Sequence, residues 1–305
     1  MRLAYIISAY QYPAQLIRLV HRIHTPRSII IIHVDKRTDR RKYLEMVTGV
    51  EHLPNIVFLE RHNCHWGSFG HVRATLKGLS YLRQHKRYDY VFLITGQDYP
   101  IKSNREVEHF LSEANNVNFV QYFPLPFERW KPENSGFDRA EYWHFRPFGK
   151  HIRLPVSTSL DLSLRSLSQI PLLPINLAFC KRTFPGNGKL FGGSSYWCIT
   201  KETLEYITSF LEQHQEFVDF FKYANIPDEM FFQTLLLNSP LQYNIVNDNL
   251  RCIEWPGPRI WRKKDFEILS RSKALFARKF DAFIDSDILD LIDTKLLGLF
   301  STSPS

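Results

Sequence analysis

A run of four isoleucines, Ile29 to Ile32, constrains the fold more than any other stretch of the sequence. It lies within the apolar segment SIIIIHVD at residues 28–35. Consecutive β-branched residues without polar alternation need apolar cover on both faces of the strand. Such cover is typical of a central strand in a parallel sheet, so the run favours an α/β fold.

The segments around this run alternate between strand-like and helical patterns. We predict strands at residues 2–10, 28–35, 55–60, 88–100 and 118–123. We predict helices that begin at Pro13 and that cover residues 70–84 and 105–114. This alternation predicts a Rossmann-like half in which ligands bind beyond the carboxyl ends of the strands.

The second half of the chain has a weaker pattern. Residues 124–184 mix proline, aromatic and basic residues and are predicted to form a long ordered loop region, with an apolar flap or packed connector at 163–179. A glycine-hinged strand at 190–200 and helices at 202–212, 228–237 and 286–298 follow. We expect one domain over 1–305, with a nucleotide-binding half (1–123) and an acceptor-binding and catalytic half (124–305).

Charge and composition narrow the classes of partner. The 305 residues carry a formal net charge of +8, which suits an anionic ligand, membrane surface or nucleic acid. No RNP-like or helix-turn-helix pattern supports nucleic acid, and no apolar stretch is long enough to span a membrane. The four cysteines form no CxxC pair. We expect a cytoplasmic protein, with peripheral attachment at the inner face of a membrane left open.

The sequence offers little support for a bound metal. The only Asp-x-Asp triplet, Asp285 to Asp287, precedes a helical pattern and is interpreted as a helix N-cap. His62, Cys64 and His65 lie close together, but no fourth donor lies nearby in the sequence. We therefore expect no metal and no other cofactor.

Two other segments contain candidate residues for phosphate binding and for general-base catalysis. No glycine-rich phosphate motif occurs, so a diphosphate would need side-chain cations, which are dense at residues 261–281. Asp228 and Glu229 fall in the first turn of a predicted helix, where its dipole favours ionised carboxylates. Such a carboxylate could act as a general base, although acids at a helix start are also common without a catalytic role.

Several segments, in order, resemble the core-2/I-branching glycosyltransferase family, which includes the peptide O-xylosyltransferases. They are IHVDKR, CHWGSFGHVRATLKGL, LITGQDYPIKSNREV, FERWK, GGSSYW, PDEMFFQTLL and LFARKFD. The resemblance implies a GT-A-like fold with a mixed central sheet. It also implies inverting transfer from a UDP-sugar without a metal.

The resemblance also implies roles for individual residues. Glu229 would be the catalytic base, and Arg251 and Lys279 would bind the diphosphate. The nucleotide side would comprise Ala9, Val34, Asp35, Trp66, Gly67 and Ser68. The donor and acceptor sugars would meet Asp98, Glu128, Arg129, Trp130, Ser195 and Tyr196.

The donor sugar stays open at this point. Ser195 stands where the xylosyltransferase pattern has an aspartate, which favours N-acetylglucosamine, while FARKF is more similar to the xylosyltransferases. A non-catalytic glycan- or nucleic-acid-binding protein is the alternative of another class. The expected acceptor is a glycan, a lipid-linked oligosaccharide or a protein. The sequence shows no membrane anchor or disulfide-rich stem, so we expect a soluble, bacterial-type member.

Overall fold

A computed structural model describes residues 1–85, 87–154, 181–255 and 257–298 of the chain. The predicted flap at 163–179 lies outside the described residues.

A seven-stranded sheet forms the centre of the fold, in the order β10-β6-β9-β4-β1-β2-β3. The strands of this sheet are β1 (Leu3–Ala9), β2 (Ile29–Val34), β3 (Ile56–Phe58), β4 (Tyr90–Thr95), β6 (Asn118–Pro124), β9 (Phe191–Thr200) and β10 (Ile245–Val246). The two smaller sheets contain β5 (Asp98–Pro100), β11 (Arg251–Cys252) and β12 (Phe276–Arg278), and β7 (Trp143–Phe145) with β8 (Ile152–Leu154).

Strand direction decides where the site can lie. β1 pairs in parallel with both β2 and β4, so Ala9, Val34 and Thr95 end their strands at one edge of the sheet. β9 runs antiparallel to both β4 and β6 and makes the sheet mixed. The predicted α/β class, Rossmann-like first half and mixed central sheet are confirmed.

Helices cover both faces of this sheet. They are α1 (Pro13–Ile23), α2 (Arg40–Thr48), α3 (Gly70–His85), α4 (Asn104–Glu113), α5 (Phe137–Glu141), α6 (Lys201–Gln213), α7 (Gln215–Lys222), α8 (Phe231–Leu237), α9 (Phe266–Arg271) and α10 (Asp287–Lys295). Alternate side chains of β1 enter different cores: Tyr5 and Ile7 pack with α1, whereas Ala4 and Ile6 pack with α3. Ile30, Ile31 and Ile32 of β2 are fully buried between the helices on the two faces of the sheet. Burying one isoleucine side chain stabilises the fold by about 1.5–3 kcal/mol.

The strand predicted at 88–100 is two strands in two sheets. Gly96 and Gln97 turn the chain after β4, and β5 then pairs antiparallel with β12. This pairing sets Asp98 opposite Arg278, a residue 180 positions later in the chain. Because of this turn, the Asp98 carboxylate lies next to the basic C-terminal segment rather than in the central sheet.

The helix predicted at 228–237 is wrong at its start. Pro227–Glu229 form a separate 3₁₀ turn, Met230 has φ −135°, and α8 begins only at Phe231. Asp228 and Glu229 are thus outside the α-helix, and the dipole argument for their ionisation does not hold. The region 124–184 also holds more regular structure than predicted: a 3₁₀ segment at Glu128–Gly136, then α5 and the β7–β8 hairpin.

Four described α-helices were not predicted: α2, α5, α7 and α9. Asp39 caps α2, since its carboxylate accepts from the backbone N–H groups of Arg41 and Lys42. The capping role predicted for 285–287 falls on Asp285, which accepts from Ile288 N at 3.2 Å. In the described part of the chain, no helix has the length and apolar character needed to cross a membrane.

Candidate active site

Asp35 follows β2 at the carboxyl edge of the sheet, as predicted, but its carboxylate is already held. Arg37 donates to both oxygens, with 2.6 Å between Nη2 and Oδ2, and also donates its backbone N–H to Oδ1. Burial raises the pKa of Asp35, but these bonds outweigh it and leave the pKa below its ordinary value. Ala9 and Val34 are buried at the ends of their strands. The side of the sheet predicted to bind the nucleotide therefore contains an Asp35–Arg37 pair.

The loop between β3 and α3 is tied to the turn that carries Glu229. Gly67 has φ +69°, and its carbonyl accepts from Ile226 N at 3.0 Å. A Cβ at position 67 would collide with Nη2 of Arg146, which donates from Nε to the Trp66 carbonyl at 2.8 Å. The backbone angle favours glycine, and an added Cβ would in addition displace the Arg146 guanidinium from its present position.

Three residues in or next to this loop, Trp66, Ser68 and Ile226, have different surroundings. Trp66 is 74% exposed, which leaves its ring free to contact a ligand. The Ser68 hydroxyl accepts from Gly70 N at 3.2 Å and so helps to begin α3. Ile226 has φ +50°, a strained conformation for a β-branched residue, and such strain concentrates at functional sites.

His33 of β2 and two residues of this loop, His62 and Cys64, form a cluster whose candidate donor atoms lie within 4.8 Å of one another; His33 and Cys64 are buried, and His62 is half-buried. His33 rather than His65 is the third member; His65 instead contacts Arg37 at 3.1 Å. His33 Nε2 lies 3.1 Å from His62 Nδ1, and His62 Nε2 contacts the Gly70 carbonyl at 2.9 Å. Burial lowers the pKa of His33 to about 4 and raises that of Cys64 to about 12, so a neutral hydrogen-bonded chain satisfies these groups.

Charged groups surround Tyr196 on β9. Arg278 lies over its ring at 4.9 Å and bonds to Thr95 Oγ1. Arg278 Nη1 is 3.8 Å from Asp98 Oδ1, which is buried and has no hydrogen-bond partner among the described residues. Burial raises the pKa of Tyr196, and the charges of Arg278, Asp98 and Glu229 also act on it. The structure thus brings Asp98, Tyr196 and Glu229 together and adds Arg278, which the sequence analysis did not single out.

Glu229 is half-buried, and its carboxylate is paired. Its Oε2 accepts from Arg139 Nη1 at 2.6 Å. Burial raises the pKa of Glu229, the Arg139 charge opposes that rise, and Asp228 and Glu133 add to it. A half-buried carboxylate with a raised pKa suits a general base.

Asp228 and Ser195 form a second contact beside Glu229. Ser195 Oγ donates to Asp228 Oδ2 at 2.8 Å, while Asp228 Oδ1 is buried with no partner in the described part of the chain. An unpaired buried carboxylate oxygen is costly and has the capacity to accept a ligand hydroxyl. Ser195 is therefore joined to the residue next to Glu229, and its contact with a sugar stays a prediction.

Arg251 is buried next to Tyr196, with its guanidinium carbon 6.0 Å from the centre of that ring. Its guanidinium donates to the carbonyls of Asn249 at 2.6 Å and Leu93 at 2.9 Å, and the residue is 7% exposed. Burial lowers its pKa. Two of its nitrogens are thus engaged by the backbone, whereas its Nε has no hydrogen-bond partner among the described residues, and the diphosphate pair of Arg251 with Lys279 stays a prediction.

Lys279 lines a cavity of about 440 Å³. Other residues of this cavity include Arg259, Arg262, Lys264 and Asp265. Arg259 bonds to both Glu254 and Asp265, whereas the side chains of Arg262, Lys264 and Lys279 have no carboxylate partner within the described residues. These three cations are available to an anion, and their use by a diphosphate stays a prediction.

The three residues predicted on the acceptor side differ in their exposure and contacts. Glu128 and Arg129 are exposed, and Glu128 pairs with Lys131 at 2.5 Å. Trp130 is half-buried, and one face of its ring is covered by Arg139 at 3.6 Å. Of the three, Trp130 alone joins the Glu229 cluster through a described contact.

Comparison with known proteins decides the family. The family model described as Core-2/I-Branching enzyme matches residues 3–278. The chain belongs to the Core-2/I-branching enzyme family. The predicted resemblance is confirmed.

Core-2/I-branching relatives of known name include xylosyltransferases. Xylosyltransferase 2 of Rattus norvegicus is 26% identical over 98% of this chain, and a xylosyltransferase of Ciona intestinalis is 25% identical over 93%. These matches cover 34% and 32% of the relatives, so the chain spans about a third of their length.

Among solved structures, core-mannan synthase A of Aspergillus fumigatus, in an Mn/GDP form, is 12% identical. The match covers 80% of this chain and 72% of that one, with a TM-score of 0.35. S. aureus TarS in complex with UDP is 15% identical, covering 39% and 35% of the chains with a TM-score of 0.28. TM-scores this low support no inference about the site.

Three site residues of this family member had no role in the sequence analysis: Arg37, Arg139 and Arg278. Arg37 follows Asp35 by two positions and could have been inferred from that spacing. Arg139 and Arg278 lie 90 and 180 positions from their carboxylate partners, Glu229 and Asp98. No local pattern identifies such pairs.

Proposed function

We propose that this chain transfers a sugar from a UDP-sugar to a hydroxyl group of a glycan, lipid-linked or protein acceptor, with inversion at the anomeric carbon and without a metal ion. The proposal is supported by membership of the Core-2/I-branching family. The observation that supports it most is the half-buried Glu229 carboxylate, whose charge acts on Tyr196 together with the charges of Asp98 and Arg278.

In the proposed reaction, Glu229 accepts the proton of the acceptor hydroxyl. That oxygen forms a bond to the anomeric carbon, and the bond from this carbon to the diphosphate oxygen breaks with its electron pair. Arg278 and Lys279 stabilise the charge that develops on the leaving UDP. A single displacement converts an α-linked donor into a β-linked product. The carboxylate base accounts for about 10²–10⁴ of the rate enhancement.

Two donor sugars remain candidates. Xylose is favoured by the named relatives, which are xylosyltransferases. N-acetylglucosamine is favoured by Ser195, which stands where the xylosyltransferase pattern has an aspartate and which here bonds to Asp228. Peripheral attachment to an anionic membrane remains compatible with the net charge of +8.

Isothermal titration calorimetry tests the proposal directly. UDP, UDP-xylose and UDP-N-acetylglucosamine are titrated into the protein in EDTA and again in manganese. We expect binding that EDTA leaves unchanged, and the tighter-binding sugar identifies the donor. Absence of binding in both conditions contradicts a UDP-sugar transferase. Binding in manganese alone contradicts the metal-free part of the proposal.

A further inference from the structure

Arg139 on α5 lies between two carboxylates. Its Nε donates to Glu133 Oε2 at 2.5 Å and its Nη1 to Glu229 Oε2 at 2.6 Å. The guanidinium stacks on the Trp130 ring at 3.6 Å, and its side chain is only 8% exposed. A planar guanidinium held on an aromatic face has little freedom to rotate, so its N–H groups point in fixed directions.

The backbone around Arg139 is joined to the turn that carries Glu229. The Arg139 carbonyl accepts from Asn225 N at 2.7 Å. The Asn225 side chain contacts Glu133 at 3.4 Å and accepts from Arg146 Nη2 at 2.6 Å. Arg139 and Glu229 are therefore connected both through the ion pair and through the backbone just before the 3₁₀ turn.

We propose that Arg139 is the positioning residue that holds Glu229 ionised and aimed at the acceptor hydroxyl, and that Glu133 weakens this hold by sharing the guanidinium. The proposal rests on the proposed role of Glu229 as base. When Glu229 takes up the acceptor proton, Arg139 keeps a carboxylate partner in Glu133, so no buried cation is left unpaired.

The electrostatics agree with this geometry. Burial raises the pKa of Glu229, and Arg139 is the main group that opposes the rise. The other charged or titratable groups that face Glu229 are Asp228 in its own turn, Glu133 in the preceding 3₁₀ segment and Tyr196 on β9. Asp228 and Glu133 act in the opposite direction to Arg139. Removal of Arg139 and removal of Glu133 should therefore shift the titration of Glu229 in opposite directions.

Carboxyl-carbon NMR of protein labelled at the glutamate side chain measures this titration without any substrate. The Glu229→Gln variant identifies the Glu229 signal. We expect its midpoint to move to higher pH in Arg139→Gln and to lower pH in Glu133→Gln. Glu141→Gln is the matched control, because it removes one carboxylate from α5 that pairs with Lys181 instead. We expect no change there.

The Glu133→Gln variant keeps the inference testable even if Arg139→Gln fails to fold, because Glu133 is more exposed than Arg139. Coincident midpoints in wild type and Glu133→Gln, or a shift toward higher pH, would overturn the inference. Activity gives a separate readout: the acidic limb of kcat/KM should follow the NMR midpoints, and Arg139→Lys should restore part of the shift. If the wild type transfers no sugar, the proposed function fails while the titration still decides the role of Arg139.

Discussion

The backbone N–H of Ile226 donates a hydrogen bond of 3.0 Å to the carbonyl of Gly67. This bond joins the exposed Trp66 loop to the residue that begins the Pro227–Glu229 turn. Arg146 reinforces it, since its guanidinium bonds to both Trp66 and Asn225. The loop predicted to contact the nucleotide and the proposed base therefore belong to one hydrogen-bonded network, and changes in one are expected to affect the other.

Gly67→Ala should destabilise the protein and lower sugar transfer. The left-handed backbone costs an alanine about 1–2 kcal/mol, and its Cβ would collide with the Arg146 guanidinium. Gly186→Ala is the matched control, because Gly186 has φ +76° but no described neighbour within 4 Å of an added Cβ. Denaturant unfolding of both variants separates backbone strain from the Arg146 contact. Equal losses in the two variants would contradict a role for that contact.

Glu229→Gln should lower turnover by about 10²–10⁴ while UDP affinity changes little, because the amide cannot accept the proton. Steady-state kinetics and calorimetry with UDP measure the two effects. Glu216→Gln, at an exposed glutamate of α7, provides the control with the same chemical change. Wild-type turnover in Glu229→Gln would remove this residue from the base role.

The same variant should change the pH dependence of stability. The folded protein raises the pKa of Glu229 above its ordinary value of 4.5, so the folded state binds the proton more tightly than the unfolded chain. Ionised Glu229 therefore costs stability as pH rises through its folded pKa. We expect Glu229→Gln to gain stability relative to wild type between pH 4 and neutrality, measured by urea unfolding at a series of pH values. A difference that is constant over this window would contradict the raised pKa.

Arg278 and Arg251 should differ in what they affect. Arg278→Gln and Lys279→Ala should both weaken UDP binding. Lys279→Ala should leave the fold largely intact, whereas Arg278→Gln should also destabilise it, because the buried Asp98 carboxylate would lose its cation at 3.8 Å. Arg251→Gln should lower the free energy of unfolding by about 1–3 kcal/mol, because the carbonyls of Leu93 and Asn249 would lose their buried donors. Calorimetry with UDP and denaturant unfolding are run on all three variants. A stable Arg251→Gln protein that no longer binds UDP would support the family-based prediction.

Ser195→Asp should destabilise the protein at neutral pH. The new carboxylate would replace a hydroxyl that now donates to Asp228 at 2.8 Å, and two carboxylates at that distance cannot both ionise cheaply. Ser195→Asn, of similar size and without charge, is the control. Unfolding at pH 5 and pH 8 should show that the penalty of the aspartate grows with pH. A penalty that is equal for both variants would point to size rather than charge.

Local patterns in the sequence were enough to predict most of the central sheet. Ile29 to Ile32 predicted a buried strand, and β2 is parallel to both neighbours. The helical spacing after Pro13 and after Gly70 predicted α1 and α3. These elements are predictable because apolar periodicity reflects which faces are buried. Ordered motifs were also enough to predict the family, and Asp35 lies at the expected strand end. The division into a nucleotide half and an acceptor half stays a prediction.

Tertiary structure decided which charges work together. Arg251 and Arg278 look alike in the sequence, but β11 directs one guanidinium into the interior, whereas pairing of β12 with β5 sets the other opposite Asp98. Likewise, the helical pattern after Pro227 predicted that Glu229 lies in the first turn of an α-helix, yet Pro227–Glu229 form a 3₁₀ turn. The ion-pair partner of Glu229, Arg139, comes from another element. Hydrophobic patterns are read from neighbours three or four residues apart. Ion pairs in a folded site depend on how distant elements pack, and that information is not local.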